Sequence, residues 1–301
     1  MEKTIRQVKA KKSFPVAKLV TYIALVLYTL ILFVPFLVIF CTSFMSDYEI
    51  GASEFHLFPY EWSAEGYELI FTLDPNAVNG VPSLLIGFLN TMWQTLVPTV
   101  ISLFVSALVA FVYSKFRFPG RKIFFLANVF TMMLPLGAFG FVGYLFYVNI
   151  GWVGGARGLL PIIIPGLFGS AGTIFFLRTY YDSALSNEVV EAAKIDGAGT
   201  VRLFFSIALP LGKPAILAQF LFAFVGGYNS YSAQLMYLYN DKSLWNMQLA
   251  LSELTGMLSE GNGYNNAKCA AAFISMLPLI LLYIGMQKYF IEGINIGGGK
   301  E

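Results

Sequence analysis

Few residues in this chain could carry out bond-making chemistry. It holds one histidine, His56, and two cysteines, Cys41 and Cys269. A lone imidazole in an acidic stretch does not support Ser-His-acid hydrolysis, and His56 reads as a solvated loop residue. One imidazole and two distant thiols cannot supply the four ligands of a structural zinc site. A Gly-rich phosphate loop is absent too, because Gly298-Gly299-Lys300 lacks the following hydroxyl and helix. The expectation is therefore a chain that is not an enzyme and holds no cofactor of its own.

The residues that do stand out lie between Arg178 and Pro214. Ser186 or Asn187 can cap a helix, and Glu188 in its first turn suits the positive end of the helix dipole. Glu188-Val-Val-Glu-Ala-Ala-Lys-Ile is helical by propensity, and Gly197 can end it in the left-handed conformation. A second run, Thr200–Ala208, puts Val201, Phe204, Phe205 and Ala208 on one face, with Pro210 and Pro214 marking entry to the next segment. Glu191 beside the small Ala192 and Ala193 offers a carboxylate where another protein can approach closely. Helix physics alone leaves two readings open: a docking knob, or a helix that anchors a loop at a membrane surface.

The elements that must position this stretch are apolar. Of the 301 residues, 57% are hydrophobic and only 12% charged, about half the charge of an ordinary soluble domain. The formal net charge of +2 points to neither nucleic acid nor an acidic partner. A charge at a helix centre opposes membrane insertion by about 2.5–3.5 kcal/mol, so charge-free intervals mark the spans. Six are expected: Leu19–Cys41, then near Leu84–Tyr113, Ile123–Val148, Leu159–Leu177, Pro214–Leu235 and Cys269–Met286. The first has too long an apolar run, and no small-residue cleavage site after it, for a secretory signal. Lys and Arg concentrate in the N-terminal tail, in Ser114–Lys122, in Arg178–Lys213 and at the C-terminus. The intervening loops hold only Arg157, Lys242 and Lys268, and the first is acidic, with Asp47, Glu49, Glu54, Glu61, Glu65, Glu68 and Asp74. Both termini are therefore expected in the cytoplasm of a multi-pass cell-membrane protein. Residues 1–18 form a basic tail, 19–290 the membrane domain and 291–301 a second tail; loop 178–214 is cytoplasmic, and loops 42–83 and 236–266 are external. Cys41 and Cys269 lie near external ends of spans and read as buried unpaired thiols, with a disulfide as the alternative.

Glu191-Ala192-Ala193, three residues, Gly197, nine residues, then Ile207-x-Leu209-Pro210 resembles the EAA motif of ABC importer permeases. With Asp196 it resembles the form found in the carbohydrate-uptake branch, the group of the smaller permease of the maltose transporter. Ala107–Arg121, Leu57-Phe58-Pro59 with Trp62 and Gly66-Tyr67, and Met286–Phe290 with Gly293 are similar to further signatures of that branch. Tyr228-Asn229 stands where the family often has Trp-Asn, and Gly297-Gly-Gly-Lys-Glu replaces its common C-terminal Ala-Val-Lys-Gly.

The resemblance implies an all-α type I importer permease of six transmembrane helices, with residues 191–210 coupling it to a cytoplasmic ATPase. The implied partners are two ATPase subunits carrying ATP and Mg, a second and non-identical permease, and an extracellular solute-binding protein. The implied cargo is a sugar or oligosaccharide, moved by alternating access. None of the expected spans holds a central ionisable residue, which argues against a proton-coupled carrier. Neutral amides and aromatics are present instead, and Asn90, Tyr228, Asn229 and Tyr231 are candidates for the solute pathway. Each could equally join helices. By analogy with the family, Trp245, Gly261, Asn262 and Gly263 are candidate contacts for the binding protein; a structured cap over the bundle is the alternative. Two other functions stay open: an ABC permease for a non-sugar solute, and a polytopic scaffold that docks a cytoplasmic protein.

Overall fold

A computed structural model describes residues 16–52, 56–134, 139–260 and 264–297, with side chains placed for most of them. The described chain is helical, in the order α1 Val16–Ser43, α2 Asp47–Gly51, α3 Glu65–Thr72, α4 Ser83–Lys115, α5 Arg121–Met133, α6 Gly140–Asn149, α7 Leu160–Leu167 and α8 Ala171–Ala184. There follow α9 Asn187–Ile195, α10 Thr200–Leu203, α11 Leu209–Tyr228, α12 Ser232–Leu238, α13 Met247–Glu260 and α14 Asn265–Gly297. Among the described residues, five stretches are long and apolar enough to cross a membrane: Lys18–Ser43, Ser83–Lys115, Gly155–Ala184, Thr200–Tyr228 and Asn265–Tyr289.

The expected third span, Ile123–Val148, is two shorter helices, α5 and α6, on either side of residues 135–138, which lie outside the described set. Leu134 is extended, with ψ 131. A residue before proline is driven out of the helical region, so Pro135 accounts for the end of α5. The expected fifth span is also displaced, running from Thr200 to Tyr228 rather than from Pro214 to Leu235.

α4 is the axis of the bundle. Of its apolar window 44% is buried, against none of α1's. It packs along its length against α8, α11, α13 and α7. Two apolar cores form at its two ends. One gathers Leu84, Tyr228, Trp245, Leu249 and Leu254 beneath α13; the other gathers Ala107, Phe111, Tyr181, Val190 and Phe204 beside α9.

At the α13 end, the segment before α3 folds back over α2. His56 is not the solvated loop residue that its sequence context suggests: its side chain is 16% exposed, its Nε2 lies 2.8 Å from Glu49 Oε1, and its ring stacks on Tyr60. Burial pushes the Glu49 carboxyl up. The Tyr60 amide, which donates to Glu49 Oε1 at 2.6 Å, and the His56 contact outweigh that burial and hold the carboxyl below its ordinary value. Ser46 caps α2, its Oγ accepting from the Glu49 amide at 3.2 Å. Asp47 Oδ1 accepts from the Tyr264 amide and so fixes the start of α14. Cys41 is buried, Cys269 half-buried, and both are free thiols.

Candidate functional site

α9 forms as its local sequence dictates. Ser186 Oγ accepts from the Val189 amide at 3.4 Å, Glu188 lies in the first turn and Lys194 in the last. At the far end the Ala198 amide reaches Ala193 O at 2.9 Å and the Gly197 amide reaches Lys194 O at 3.0 Å, the paired bonds of a Schellman cap. Gly197 has φ +80, and a Cβ there would meet nothing within 4 Å. Backbone conformation, not space, requires glycine at this position.

The helix is two-faced. Val190 and Ala193 are buried in the core shared with α4, α8 and α10, while Glu191, Ala192, Ile195 and Asp196 are exposed. Ile195 is 86% exposed, an apolar side chain left standing beside a carboxylate. Lys194 Nζ lies 5.7 Å from the Phe116 ring just past α4. The buried face of α9 thus shares one core with Ala107 and Phe111 of α4, Leu177 and Tyr181 of α8 and Ala215 of α11.

Beyond Gly197 the structure corrects the sequence reading. Thr200–Ala208 is not a separate surface helix with Val201 and Phe205 on its buried face; those two are 70% and 49% exposed. Phe204 and Ala208 do turn inward as expected, joined by Leu203, and the helix runs on through Leu209 into α11. The cause is a π-helical turn over Phe204–Ala208, in which the Leu209 amide bonds to Phe204 O. That wider turn brings Leu203 and Ala208, five apart, to one side, which a 3.6-residue period does not anticipate. Pro210 is the second residue of α11 and directly follows the π turn, within the continuous helix. Ile207 and Leu209 are half-buried against the same core. Tyr180 donates its hydroxyl to Leu211 O at 3.1 Å, and a Cβ on Gly212 would lie 2.6 Å from the Tyr181 hydroxyl. Glycine thus lets α8 and α11 close together directly behind α9.

The four pathway candidates are placed differently from one another. Asn90 Nδ2 bonds to Ser243 O at 2.8 Å and Trp245 O at 2.9 Å. Tyr228 is fully buried and donates its hydroxyl to Ser275 O at 2.7 Å, so in this conformation it joins α11 to α14. Asn229 is exposed, with Oδ1 accepting from Gln248 at 3.2 Å, and Tyr231 packs half-buried against the core under α13. Asn90 and Asn229 thus both bond residues of the 243–248 segment, while Tyr228 is withdrawn into the core.

The segment between α12 and α13 is a stitched cap. Thr91 Oγ1 accepts from the Met247 amide at 2.7 Å, Gln94 donates to Leu244 O at 2.9 Å, and Gln234 donates to Gln94 at 2.8 Å. Trp245, a candidate surface contact, is 2% exposed and its indole bonds to Tyr239 O, so the structure places it inside. Gly261, Asn262 and Gly263 lie outside the described residues. Sequence reasoning misses Asn246, which bonds Ser230 O through Nδ2 and the Leu249 amide through Oδ1. It also misses a cleft of about 290 Å³ lined by Tyr144, Tyr237, Tyr239 and Asn240. Tyr237, Tyr239 and Asn240 are close in sequence, but nothing local indicates that Tyr144 joins them.

The model of binding-protein-dependent transport system inner membrane components matches residues 102–296. The polygalacturonan/rhamnogalacturonan transport system permease protein YtcP of Bacillus subtilis (strain 168) is 28% identical over 291 residues, covering 92% of this chain and 95% of that protein. The sn-glycerol-3-phosphate transport system permease protein UgpE of Salmonella typhi is 30% identical over 273 residues, 90% of this chain and 93% of its own. Among solved structures, a chain from a bacterial ABC transporter involved in the import of the acidic polysaccharide alginate superposes with TM-score 0.76 at 24% identity, over 94% of this chain and 100% of that one.

Proposed function

This chain belongs to the family of binding-protein-dependent transport system inner membrane components, and from that premise we propose that it imports a sugar or oligosaccharide by alternating access, driven through α9. The observation that carries the reading is the two-faced α9, with Val190 and Ala193 locked into the bundle and Glu191, Ala192 and Ile195 open to a partner. The capped ends make the helix a rigid lever rather than a flexible loop.

In this reading Glu191, Ala192, Ala193, Asp196, Gly197, Ile207, Leu209 and Pro210 form and support the docking knob for one of two cytoplasmic ATPase subunits. ATP and Mg are bound and used there, not in this chain. A second, non-identical permease completes the pathway, and an extracellular solute-binding protein delivers cargo to the α13 end. The basic residues flanking α4, α5 and α9 support a cytoplasmic side for that end of the bundle and for tails 1–18 and 291–301. A saccharide cargo is supported by the polygalacturonan/rhamnogalacturonan system of one relative and the alginate transporter that shares the fold. The cleft of Tyr144, Tyr237, Tyr239 and Asn240 has matching chemistry, since aromatic faces stack on sugar C–H groups and hydroxyls and amides bond sugar hydroxyls.

The test is Glu191→Arg in the assembled transporter reconstituted in liposomes. Solute-stimulated ATP hydrolysis should fall at least about tenfold, the effect of losing a docked charge contact, while the binding protein still docks. Unchanged stimulation would refute coupling through this face. A scaffold would show no solute-stimulated hydrolysis to lose, even before mutation.

A further inference from the structure

Two clefts adjoin at the turn between α4 and α5. One, about 560 Å³, is lined by Arg117, Phe118, Gly120, Arg121, Lys122 and Ile123. The other, about 460 Å³, shares Arg121 and Lys122 and adds Phe125, Leu126, Val129 and Arg178. We propose that together they bind an anionic phospholipid, its phosphate held by Arg117, Arg121 and Lys122 and an acyl chain lying along Leu126 and Val129.

The charge is uncompensated within the described chain. Among the described residues none of Arg117, Arg121 and Lys122 forms an ion pair. The acid at hand is Asp182, and its oxygens are already engaged: Oδ1 accepts from Ser114 Oγ at 2.6 Å, and Oδ2 lies 3.6 Å from Arg178 Nε. Arg121 spends one bond on Ser114 O at 3.4 Å, a long contact that fixes the side chain without neutralising it. Arg121 and Lys122 also open α5, whose first turn holds no acid, so the helix dipole adds to the repulsion. An anion relieves all of these terms together.

The wall selects the kind of anion. Arg178 lies over Phe125, its Cζ 3.7 Å from the ring centroid, which closes one side of the second cleft. The apolar lining continues onto an outward face of α5, where Ile123 is 73% and Leu126 68% exposed. Such a face suits hydrocarbon and not water. Cations beside an apolar helix face, at the membrane end where α9 also lies, match a headgroup with its chain attached. A soluble phosphate fits only the charged half. The site is independent of the cargo and of the coupling role proposed above.

The experiment is native mass spectrometry of the full-length chain in a neutral detergent. Its probes are palmitoyl-oleoyl-phosphatidylglycerol, the matching phosphatidylcholine, and inorganic phosphate. Phosphatidylglycerol should be retained at least about tenfold more strongly than phosphatidylcholine. The Arg121→Gln/Lys122→Gln chain should lose that preference. Val129→Trp, which fills the apolar wall and keeps every cation, should weaken lipid retention as well. Equal retention of the two lipids by the unmutated chain overturns the proposal whatever the variants do. Displacement of phosphatidylglycerol by millimolar inorganic phosphate would show a free-anion site and overturn it too. Loss of the lipid preference in the assembled transporter would show that the clefts are a protein interface, with the same consequence.

Discussion

Where α4 begins, its side chains reach for backbone: Asn90, Thr91 and Gln94 each bond a main-chain group of residues 243–247. Where it ends, Ala107, Ala110 and Phe111 meet α8, α9 and α10 through apolar contact. The difference follows from what each end must hold. The cap is irregular between α12 and α13, and its free amides and carbonyls need partners wherever water is excluded. The α9 end is assembled mainly from helices that satisfy their own backbones, so apolar shape does most of the fitting, beside a few bonds such as that from the Tyr180 hydroxyl to Leu211 O. Polar stitching resists sliding, because each bond has one acceptor. Apolar contact between helices transmits displacement as a body. The molecule thus has a pinned end and an end fitted by apolar packing, the one to which the proposed coupling role of α9 belongs.

The most damaging way to test this contrast is to hollow the α9 end. Phe111 is 1% exposed and sits 5.4 Å from Phe116, 5.6 Å from Phe204 and 6.3 Å from Tyr181, centroid to centroid. Phe111→Ala should cost about 3 kcal/mol in unfolding measured in lipid nanodiscs, from lost packing and the cavity left behind. It should also uncouple ATP hydrolysis from transport while the α13 end keeps its amide protection. Loss of protection at residues 243–247 in this variant would show that the two ends are not mechanically distinct.

A smaller effect is expected at the pinned end. Thr91→Val keeps the shape of the side chain but removes the acceptor for the buried Met247 amide. Leaving that donor unpaired costs about 1–3 kcal/mol. The Met247 and Leu249 amides should exchange faster with solvent, while Ala193 and Ala198 keep their protection. If Met247 stays protected, the stitching is not what holds the cap.

The same contrast explains what can be read from the sequence. α9 is legible because its determinants are local: a capping serine, alanines and a glycine with positive φ all fall within Ser186–Gly197. The roles of Asn90 and Tyr228 are not legible, because the partners of the one are some 150 residues away and that of the other lies on α14. An amide that binds solute and one that binds a distant carbonyl look identical in sequence. The third span is legible only in outline: hydropathy runs through Ile123–Val148 and does not register the extended Leu134 that ends α5 before Pro135. The π turn over Phe204–Ala208 escapes a pattern that assumes 3.6 residues per turn. The place of His56 is hidden because the fold of the first loop over Glu49 leaves no periodic trace.

The gentlest test concerns that loop. If the α13 end depends on bonds to charged and polar groups, it should respond to acid through Glu49. Its carboxyl titrates below its ordinary value, since burial pushes it up but the bonds from Tyr60 and His56 outweigh that push. A carboxyl whose folded pKa is lowered stabilises the fold above its unfolded pKa, about 4.3 for glutamate. That contribution disappears as the pH falls through the lower, folded value. The Tyr60 amide, 2.6 Å from Glu49 Oε1, reports it directly. Its protection relative to Glu49→Gln at the same pH should decline toward equality as the pH falls below about 4. The Ala198 amide at the α9 end should show no dependence on this substitution. A ratio that fails to decline below about pH 4 would mean that the carboxylate does not organise the loop, and the pinned end would then rest on the bonds to residues 243–247 and their neighbours.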